Sequence, residues 1–188
     1  MEEPTSISFY LGMVQNFTFN FSEGLHLVTR HTKKLDGIKF YLHEDYPKEE
    51  DEQYDFGIVK LNENIGNKVG WASLVALDHD ELESMEVNVT GYPLSKTPFS
   101  VAFHIPSYNM YTMNGPIKKI SKHKIYYDID TSGGQSGSGV WRINSDGAIE
   151  CIGVHTTGGS RREGNGAVRI NQENLSIISE WLSKLDEI

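Results

Sequence analysis

Short runs in which apolar and polar residues alternate recur along most of this chain, at intervals of roughly ten residues. Gly, Pro, Asn and Asp separate the runs, as turn residues do. Intervals this short leave no room for the helices that connect parallel strands, so the pattern predicts an antiparallel β-barrel or β-sandwich. The predicted strands cover residues 6–12, 17–21, 25–28, 38–42, 56–61, 87–93, 101–105, 109–113, 124–129, 139–143 and 149–155.

Only the C-terminal end of the chain has the periodicity of a helix. Asn171 has the side chain of a helix N-cap, and apolar residues follow it at three- and four-residue spacing (Leu175, Ile178, Leu182 and Leu185). The predicted fold class is therefore all-β, with one amphipathic helix packed on the β body. A chain of 188 residues can bury a good core as one domain or as two small subdomains.

Composition narrows the classes of function. The formal net charge of −9 argues against nucleic acid or an anionic membrane as the main partner. No apolar run approaches the ~18 residues of a membrane span. The single cysteine, Cys151, excludes an internal disulfide and CxxC chemistry. We expect no metal and no other cofactor, because the sequence has no metal-ligand cluster or phosphate loop.

The N-terminal residues and the glycosylation pattern point in different directions. The first residues lack the basic and apolar regions of a signal peptide. Four N-glycosylation sequons, at Asn16, Asn20, Asn88 and Asn174, nevertheless hint at secretion.

The stretch 130–140, Asp-Thr-Ser-Gly-Gly-Gln-Ser-Gly-Ser-Gly-Val, concentrates glycines around Ser136. Glycine lets the backbone adopt positive φ, so neighbouring amides can turn toward a single point. A serine held there, with its own N–H and that of Gly134 pointing the same way, would be a nucleophile beside an oxyanion hole. On this stretch alone, a plain Gly/Ser turn between two strands is equally compatible.

A serine nucleophile needs a histidine base that a carboxylate orients. Asp55 is the best candidate for this carboxylate, because it lies between Tyr54 and Phe56 and opens an apolar strand, where a partly buried carboxylate must be paired. The alternative for Asp55 is a turn residue that caps the acidic loop before it.

Six short motifs then complete a pattern: Tyr54–Leu61, Ile65–Asn67 with Gly70-Trp71, Val89–Pro93, Asp130–Val140, Gly153–Thr156 and Gly164–Ile170. In this order they resemble the glutamyl endopeptidase (V8-like) branch of the chymotrypsin-fold serine proteases, from about Ser6 to the C-terminus. The resemblance implies a chymotrypsin-like double antiparallel β-barrel with the active site between the barrels. The barrels would cover about 1–85 and about 86–170, with a C-terminal helix at 171–188.

The same resemblance assigns catalytic roles to residues of this chain. It implies Ser136 as the nucleophile and Asp55 as the triad carboxylate. It also implies that the N–H groups of Gly134 and Ser136 form the oxyanion hole. Gly139 stands where the family usually has proline, a difference that removes no chemical group.

The catalytic histidine is the missing part of the pattern. In the family it ends a strand of the form apolar-apolar-Thr-x-x-His, ahead of a segment resembling residues 6–12. The nearest match, Leu27-Val-Thr-Arg-His31, is one residue short and follows that segment, so His31 is not favoured as the base. We therefore expect an N-terminally truncated protease with an incomplete first barrel, whose histidine and signal peptide lie upstream of Met1. The alternative is a catalytically inactive homologue that binds peptides or proteins.

The resemblance also implies an S1 pocket. His155 and Thr131 match residues that bind a substrate glutamate, and a histidine with a hydroxyl can hydrogen-bond a carboxylate at modest electrostatic cost. Asp130 matches the position that selects Arg or Lys in trypsin-like enzymes. We favour Glu or Asp at P1 over Arg or Lys. The expected partners are protein or peptide substrates, without nucleic acid or membrane, and the protein is expected to be secreted and monomeric.

Overall fold

The computed structural model describes residues 6–12, 14–20, 24–46, 52–94, 109–159 and 164–186. The helical segments are a 3-10 turn (Glu52–Tyr54), α1 (Gly66–Val69), α2 (His79–Leu82) and α3 (Gln172–Asp186). The strands are β1 (Ser8–Leu11), β2 (Val14–Asn20), β3 (Gly24–Arg30), β4 (Lys33–Leu42), β5 (Gly57–Leu61), β6 (Ser73–Leu74), β7 (Glu86–Gly91), β8 (Tyr111–Ile120), β9 (Lys124–Tyr127), β10 (Gly139–Ile143), β11 (Ile149–Thr157) and β12 (Asn165–Arg169). Across these residues, no helix has both the length and the apolar character needed to span a membrane.

Six antiparallel strands of the second half close into a barrel. They pair in the order β7, β8, β9, β12, β11 and β10, and β10 pairs again with β7. Alternation along each strand decides which side chains point into the barrel. Val87 and Val89 of β7 are fully buried, whereas Asn88 between them is partly exposed. The barrel core consists of Leu77, Leu82, Val87, Val89, Ile117, Ile125, Tyr127, Ile129, Val140, Ile152 and Ala167. The closed barrel confirms the predicted all-β class.

The first half is built from a smaller sheet and a hairpin. β1, β4 and β5 form a three-stranded antiparallel sheet, and β2 pairs with β3. Leu35 of β4 is fully buried. Over the residues described, this half is an open sheet with a separate hairpin, which agrees with the incomplete first barrel that was expected. β6 runs parallel to the start of β11 and so joins the chain after this sheet to the barrel.

Helix α3 begins where the sequence predicts. The Asn171 side-chain oxygen Oδ1 accepts the N–H of Asn174 at 2.8 Å, which is the geometry of a helix N-cap. Trp181, on the apolar face, packs against Phe56 of the first half and Val168 of the barrel. The helix therefore covers the place where the two halves meet.

Some strand predictions differ from the structure. The predicted strand at 101–105 lies outside the described residues. β8 begins two residues later than the predicted strand 109–113 and runs on to Ile120, because Gly115-Pro116 has the composition of a turn but lies within the strand. β12 was not predicted as a strand.

Candidate active site

The segment 130–138 connects β9 to β10 and carries the candidate nucleophile. The backbone has positive φ at Gly134 (91°) and Gly137 (87°), a conformation that glycine adopts without steric cost. Gln135 holds the segment from inside, because its side chain is fully buried and its Oε1 accepts the Ser132 N–H at 2.8 Å. The glycines and one buried amide thus give this segment a defined shape.

Ser136 is exposed on this segment. Within the described part of the chain, neither its N–H nor that of Gly134 donates a hydrogen bond to a backbone acceptor. Residue 134 must be a glycine, because a Cβ there would lie 2.8 Å from the carbonyl oxygen of Tyr92. Two unengaged amides beside an exposed hydroxyl are what an oxyanion hole requires.

Strand β11 fixes the nucleophile segment to the barrel. The Gly137 N–H donates to the His155 carbonyl oxygen at 2.7 Å, and the His155 N–H donates to the Ser138 carbonyl oxygen at 2.8 Å. The structure therefore brings the main chain of His155 next to Ser136, as expected for a residue of the same site.

The His155 imidazole is buried, with 3% of the residue exposed, and the Tyr127 hydroxyl oxygen lies 2.6 Å from its Nδ1 atom. Burial raises the pKa of Tyr127, so the phenol keeps its proton and donates to Nδ1. Burial lowers the pKa of His155; a hydrogen bond to the Gly166 backbone raises it, and Lys124 lowers it further. The imidazole is thus neutral, with its proton on Nε2.

Tyr127 was not among the predicted site residues, although the sequence contains a signal for it. Alternation along the predicted strand 124–129 places Tyr127 on the same face as Ile125 and Ile129, which are both buried. A phenol on an inward face needs a hydrogen-bond partner. The sequence around Tyr127 does not show which polar residue is that partner.

The two other S1 candidates lie at the start of the nucleophile segment. Asp130 is exposed and Thr131 is half-buried. The Asn165 side chain connects their surroundings to β12: its Nδ2 donates to the Ile129 carbonyl oxygen at 2.5 Å, and its Oδ1 accepts the Gly159 N–H at 2.9 Å. The exposed position leaves the Asp130 carboxylate in contact with solvent.

Asp55 lies half-buried between the 3-10 turn and β5. Burial raises the pKa of its carboxyl group, Lys124 lowers it, and Glu52 raises it. Glu52 also ties this segment to β11, because its Oε2 accepts the Thr157 hydroxyl at 2.9 Å. Asp55 is therefore anchored to the strand that supports the Ser136 segment.

The histidines near the first half have other partners. His31 is exposed, and its ring meets the edge of Tyr10 at 5.0 Å. His43 is buried, stacks on Tyr54 at 4.5 Å, and accepts the Asp45 N–H at its Nδ1. Among hydrogen bonds between described side chains, none joins an imidazole to Asp55 or Ser136. The side chain of His26 and all of His104 lie outside the described residues.

No group of three His, Cys, Asp or Glu side chains in the described ranges could hold a metal ion.

A closed six-stranded antiparallel barrel followed by a C-terminal helix is the architecture of the second half of a chymotrypsin-fold serine protease. Comparisons with known proteins narrow the class. The chain is 34% identical over 136 residues to a glutamyl endopeptidase of Bacillus licheniformis, covering 68% of this chain and 39% of the relative. It is also 34% identical over 130 residues to a glutamyl endopeptidase of Staphylococcus aureus, covering 67% of this chain and 36% of the relative. The chain belongs to the glutamyl endopeptidase (V8-like) branch.

Other similarities include a relative whose name denotes a metalloprotease and two solved structures. A protein named extracellular metalloprotease from Bacillus subtilis is 32% identical over 148 residues, or 79% of this chain and 44% of the relative. A solved structure of a Glu endopeptidase in complex with MPD matches with a TM-score of 0.63 at 26% identity, covering 79% of this chain and 64% of that one. A thermostable serine protease, AL20, matches with a TM-score of 0.59 at 13% identity and shows the fold alone. No family model matches the chain. The chain spans less than half the length of these curated relatives.

Proposed function

We propose that the protein is a serine endopeptidase that cleaves peptide bonds through an acyl-enzyme on Ser136. The observation that carries the proposal is the pair of unengaged N–H groups, of Gly134 and Ser136, beside the exposed serine. The Ser136 Oγ attacks the scissile carbonyl carbon, and the two amides stabilise the resulting oxyanion. The amine then leaves with a proton, and water hydrolyses the ester to release the acid and restore Ser136.

The proton of Ser136 needs an acceptor, and we assign it to a histidine oriented by Asp55. A carboxylate in this role holds the imidazole in one tautomer and stabilises the imidazolium that forms. No hydrogen bond found between described side chains joins an imidazole to Asp55, so we assign the base to a residue outside them. The half-buried position of Asp55, one residue after the 3-10 turn, supports its role as a held carboxylate.

We further propose that the S1 pocket prefers Glu or Asp at P1, with His155 and Thr131 as its polar groups. The support comes from the position of His155, whose main chain is hydrogen-bonded to the Ser136 segment, and from its ring, in which Tyr127 occupies Nδ1. The relatives named glutamyl endopeptidases favour the same preference. Asp130 would oppose it, but its exposure to solvent weakens that repulsion.

The experiment for the serine chemistry is labelling of the full-length gene product by a fluorophosphonate, which reacts appreciably only with an activated serine. We expect stoichiometric labelling in the wild type and none in Ser136→Ala. Labelling that persists in Ser136→Ala, or no labelling of a folded wild type, would refute Ser136 as an activated nucleophile.

The experiment for P1 preference compares matched peptides that differ only at P1. Faster cleavage after Glu or Asp than after Lys or Arg is expected, and the reverse order would refute the acidic preference. Asp130→Asn is the control, because removal of that carboxylate should increase cleavage after Glu if Asp130 opposes it.

The second candidate function is an inactive homologue that binds peptides or proteins. It is favoured by one observation, that no hydrogen bond found between described side chains joins an imidazole to Asp55 or Ser136. A folded full-length protein that fails to label but binds substrate-like peptides would support it. For either function we propose peptides or proteins as partners, a monomer, and an extracellular location, the last suggested by the name of the Bacillus subtilis relative.

A further inference from the structure

A buried lysine joins the segment of Asp55 to the barrel. Lys124, the first residue of β9, is only 4% exposed. Its Nζ lies 2.7 Å from Glu52 Oε2 and donates to Thr157 Oγ1 at 2.8 Å. The Thr157 hydroxyl donates in turn to the same Glu52 oxygen at 2.9 Å. Three side chains from the 3-10 turn, β9 and β11 thus form a closed triangle, which we call the Lys124 triangle.

The Lys124 triangle contains an ion pair between the two halves of the chain, formed by Glu52 of the first half and Lys124 of the barrel. Burial of an ammonium carries a large desolvation cost unless a counter-charge and hydrogen-bond acceptors meet it. Here Glu52 supplies the counter-charge, and Thr157 supplies a neutral acceptor. The Lys124 ammonium also lies 5.7 Å from the centre of the Tyr126 ring, within the range of a cation–π contact.

The position of this triangle connects it to both ends of the proposed site. Glu52 lies three residues before Asp55, with a single 3-10 turn between them. Thr157 lies two residues after His155, whose main chain holds the Ser136 segment. Lys124 and Glu52 are the charged groups that act on the Asp55 carboxylate among the described residues, with opposite signs.

We propose that Lys124 is a positioning residue of this site, which fastens the Asp55 segment to the barrel through Glu52 and Thr157. The inference rests on the proposed function, in which Asp55 orients the base. A stabilising ion pair with no part in catalysis would also be buried and paired. The distinction is that loss of a positioning residue slows the activation of Ser136 in a folded protein, whereas loss of a purely stabilising ion pair lowers only the free energy of unfolding.

Two variants separate the geometry from the charge. Lys124→Met keeps the length of the side chain and removes the cation, whereas Glu52→Gln keeps the lysine and removes the anion. Lys124→Met opens the Lys124 triangle, and Glu52→Gln weakens it because a neutral amide oxygen replaces the carboxylate. Both should slow fluorophosphonate labelling of the full-length protein, on the order of 10–100-fold in Lys124→Met and less in Glu52→Gln. The acidic limb of the plot of labelling rate against pH should move to higher pH in Lys124→Met and to lower pH in Glu52→Gln, because the first variant removes a cation from the site and the second removes an anion. Lys124→Arg should recover most of the rate.

A direct titration keeps the proposal testable whatever the activity. The ¹³C carboxyl signal of Asp55, assigned by its loss in Asp55→Asn, should titrate at higher pH in Lys124→Met and at lower pH in Glu52→Gln. If the folded variants leave this titration unchanged, Lys124 is a stabilising ion pair only and the proposal is refuted. If the wild type fails to label but Asp55 responds as expected, the proposed function fails and the positioning contact remains. If Lys124→Met does not fold, Glu52→Gln and Lys124→Arg decide the same question.

Discussion

Substitution of Gly134 by alanine gives a sharp test of the oxyanion hole. The Gly134 backbone has φ of 91°, and an added Cβ would lie 2.8 Å from the Tyr92 carbonyl oxygen and 3.2 Å from the Leu94 nitrogen. Both contacts are with backbone atoms, which cannot turn away as a side chain does. The segment must therefore move, and the amide of residue 134 moves with it.

Two effects of Gly134→Ala can be separated by size. The positive φ alone costs about 1–2 kcal/mol for a residue with a Cβ, and this lowers the free energy of unfolding. Displacement of one oxyanion donor costs on the order of 10²–10³ in rate, or about 2.7–4 kcal/mol of transition-state stabilisation. We expect the loss of rate to be the larger effect, because the clash acts directly on the donating amide.

Two other glycines provide matched controls. Gly137 (φ 87°) and Gly147 (φ 82°) have nearly the same backbone conformation, but an added Cβ meets no atom within 4 Å at either position. Gly147→Ala should lose stability without losing the rate of fluorophosphonate labelling, and Gly137→Ala should retain most of that rate. The assay is labelling of the full-length protein, with urea unfolding of each variant measured in parallel. If Gly134→Ala labels as fast as Gly147→Ala, the amide of residue 134 does not stabilise the oxyanion.

Other side chains yield predictions that need no activity. Asn171→Ala should lower the free energy of unfolding by about 1 kcal/mol in urea titrations, because the Asn174 N–H loses its cap, and Asn171→Asp should lose less. Tyr127→Phe should cost about 1–3 kcal/mol in the same assay, because Nδ1 of His155 is left buried without a donor. Burial lowers the pKa of His155 from 6.5, so the buried neutral ring makes its full contribution to stability above pH 6.5. That contribution is lost as the pH falls below 6.5, because the unfolded chain then binds a proton more readily than the folded one. Urea midpoints measured at about pH 8 and about pH 5 should therefore differ less in His155→Gln than in the wild type.

Local patterns in the sequence were sufficient for much of the fold. The cap and spacing after Asn171 predicted α3 because both signals lie within a few residues of each other. Strict alternation predicted β7, since a strand with one face in the core must alternate. Each of these elements is determined by its own residues and by the side on which the core lies.

β8 shows where local patterns fail. Gly115-Pro116 has turn composition, yet the strand continues through it. A Cβ at Gly115 would lie 2.4 Å from the Asp128 carbonyl oxygen, so glycine is needed for the close approach of the chain leaving β9. Pro116 lacks an N–H, but its carbonyl oxygen accepts the Asp128 N–H at 3.2 Å. The reason for both residues lies in a distant segment, which the sequence around them does not reveal.

The same limit applies to the candidate site. Ser136 and Gly134 could be proposed from the sequence because the glycines and the serine are neighbours. Lys124 could not, because a lysine in a short strand has the composition of a solvated residue, and its partners Glu52 and Thr157 are far away in the chain. Tyr127 falls between these cases: its inward direction was predictable, but its partner was not.

The division of the site between the two halves has a consequence for reactivity. The segment that carries the amides of Gly134 and Ser136 is held by hydrogen bonds of its other residues, within the segment and to β11 of the barrel. Asp55, by contrast, reaches the barrel through Glu52 and the Lys124 triangle. Loss of one triad member in a serine protease still leaves about 10³–10⁴-fold acceleration over water, because the oxyanion hole and substrate binding remain. A perturbation of the first half should therefore impair the activation of Ser136 and leave the oxyanion hole intact. A peptide boronic acid is neutral and trigonal until the Ser136 oxygen adds to boron, which gives an anionic tetrahedral adduct. Its binding should accordingly depend on Gly134 more than on Asp55.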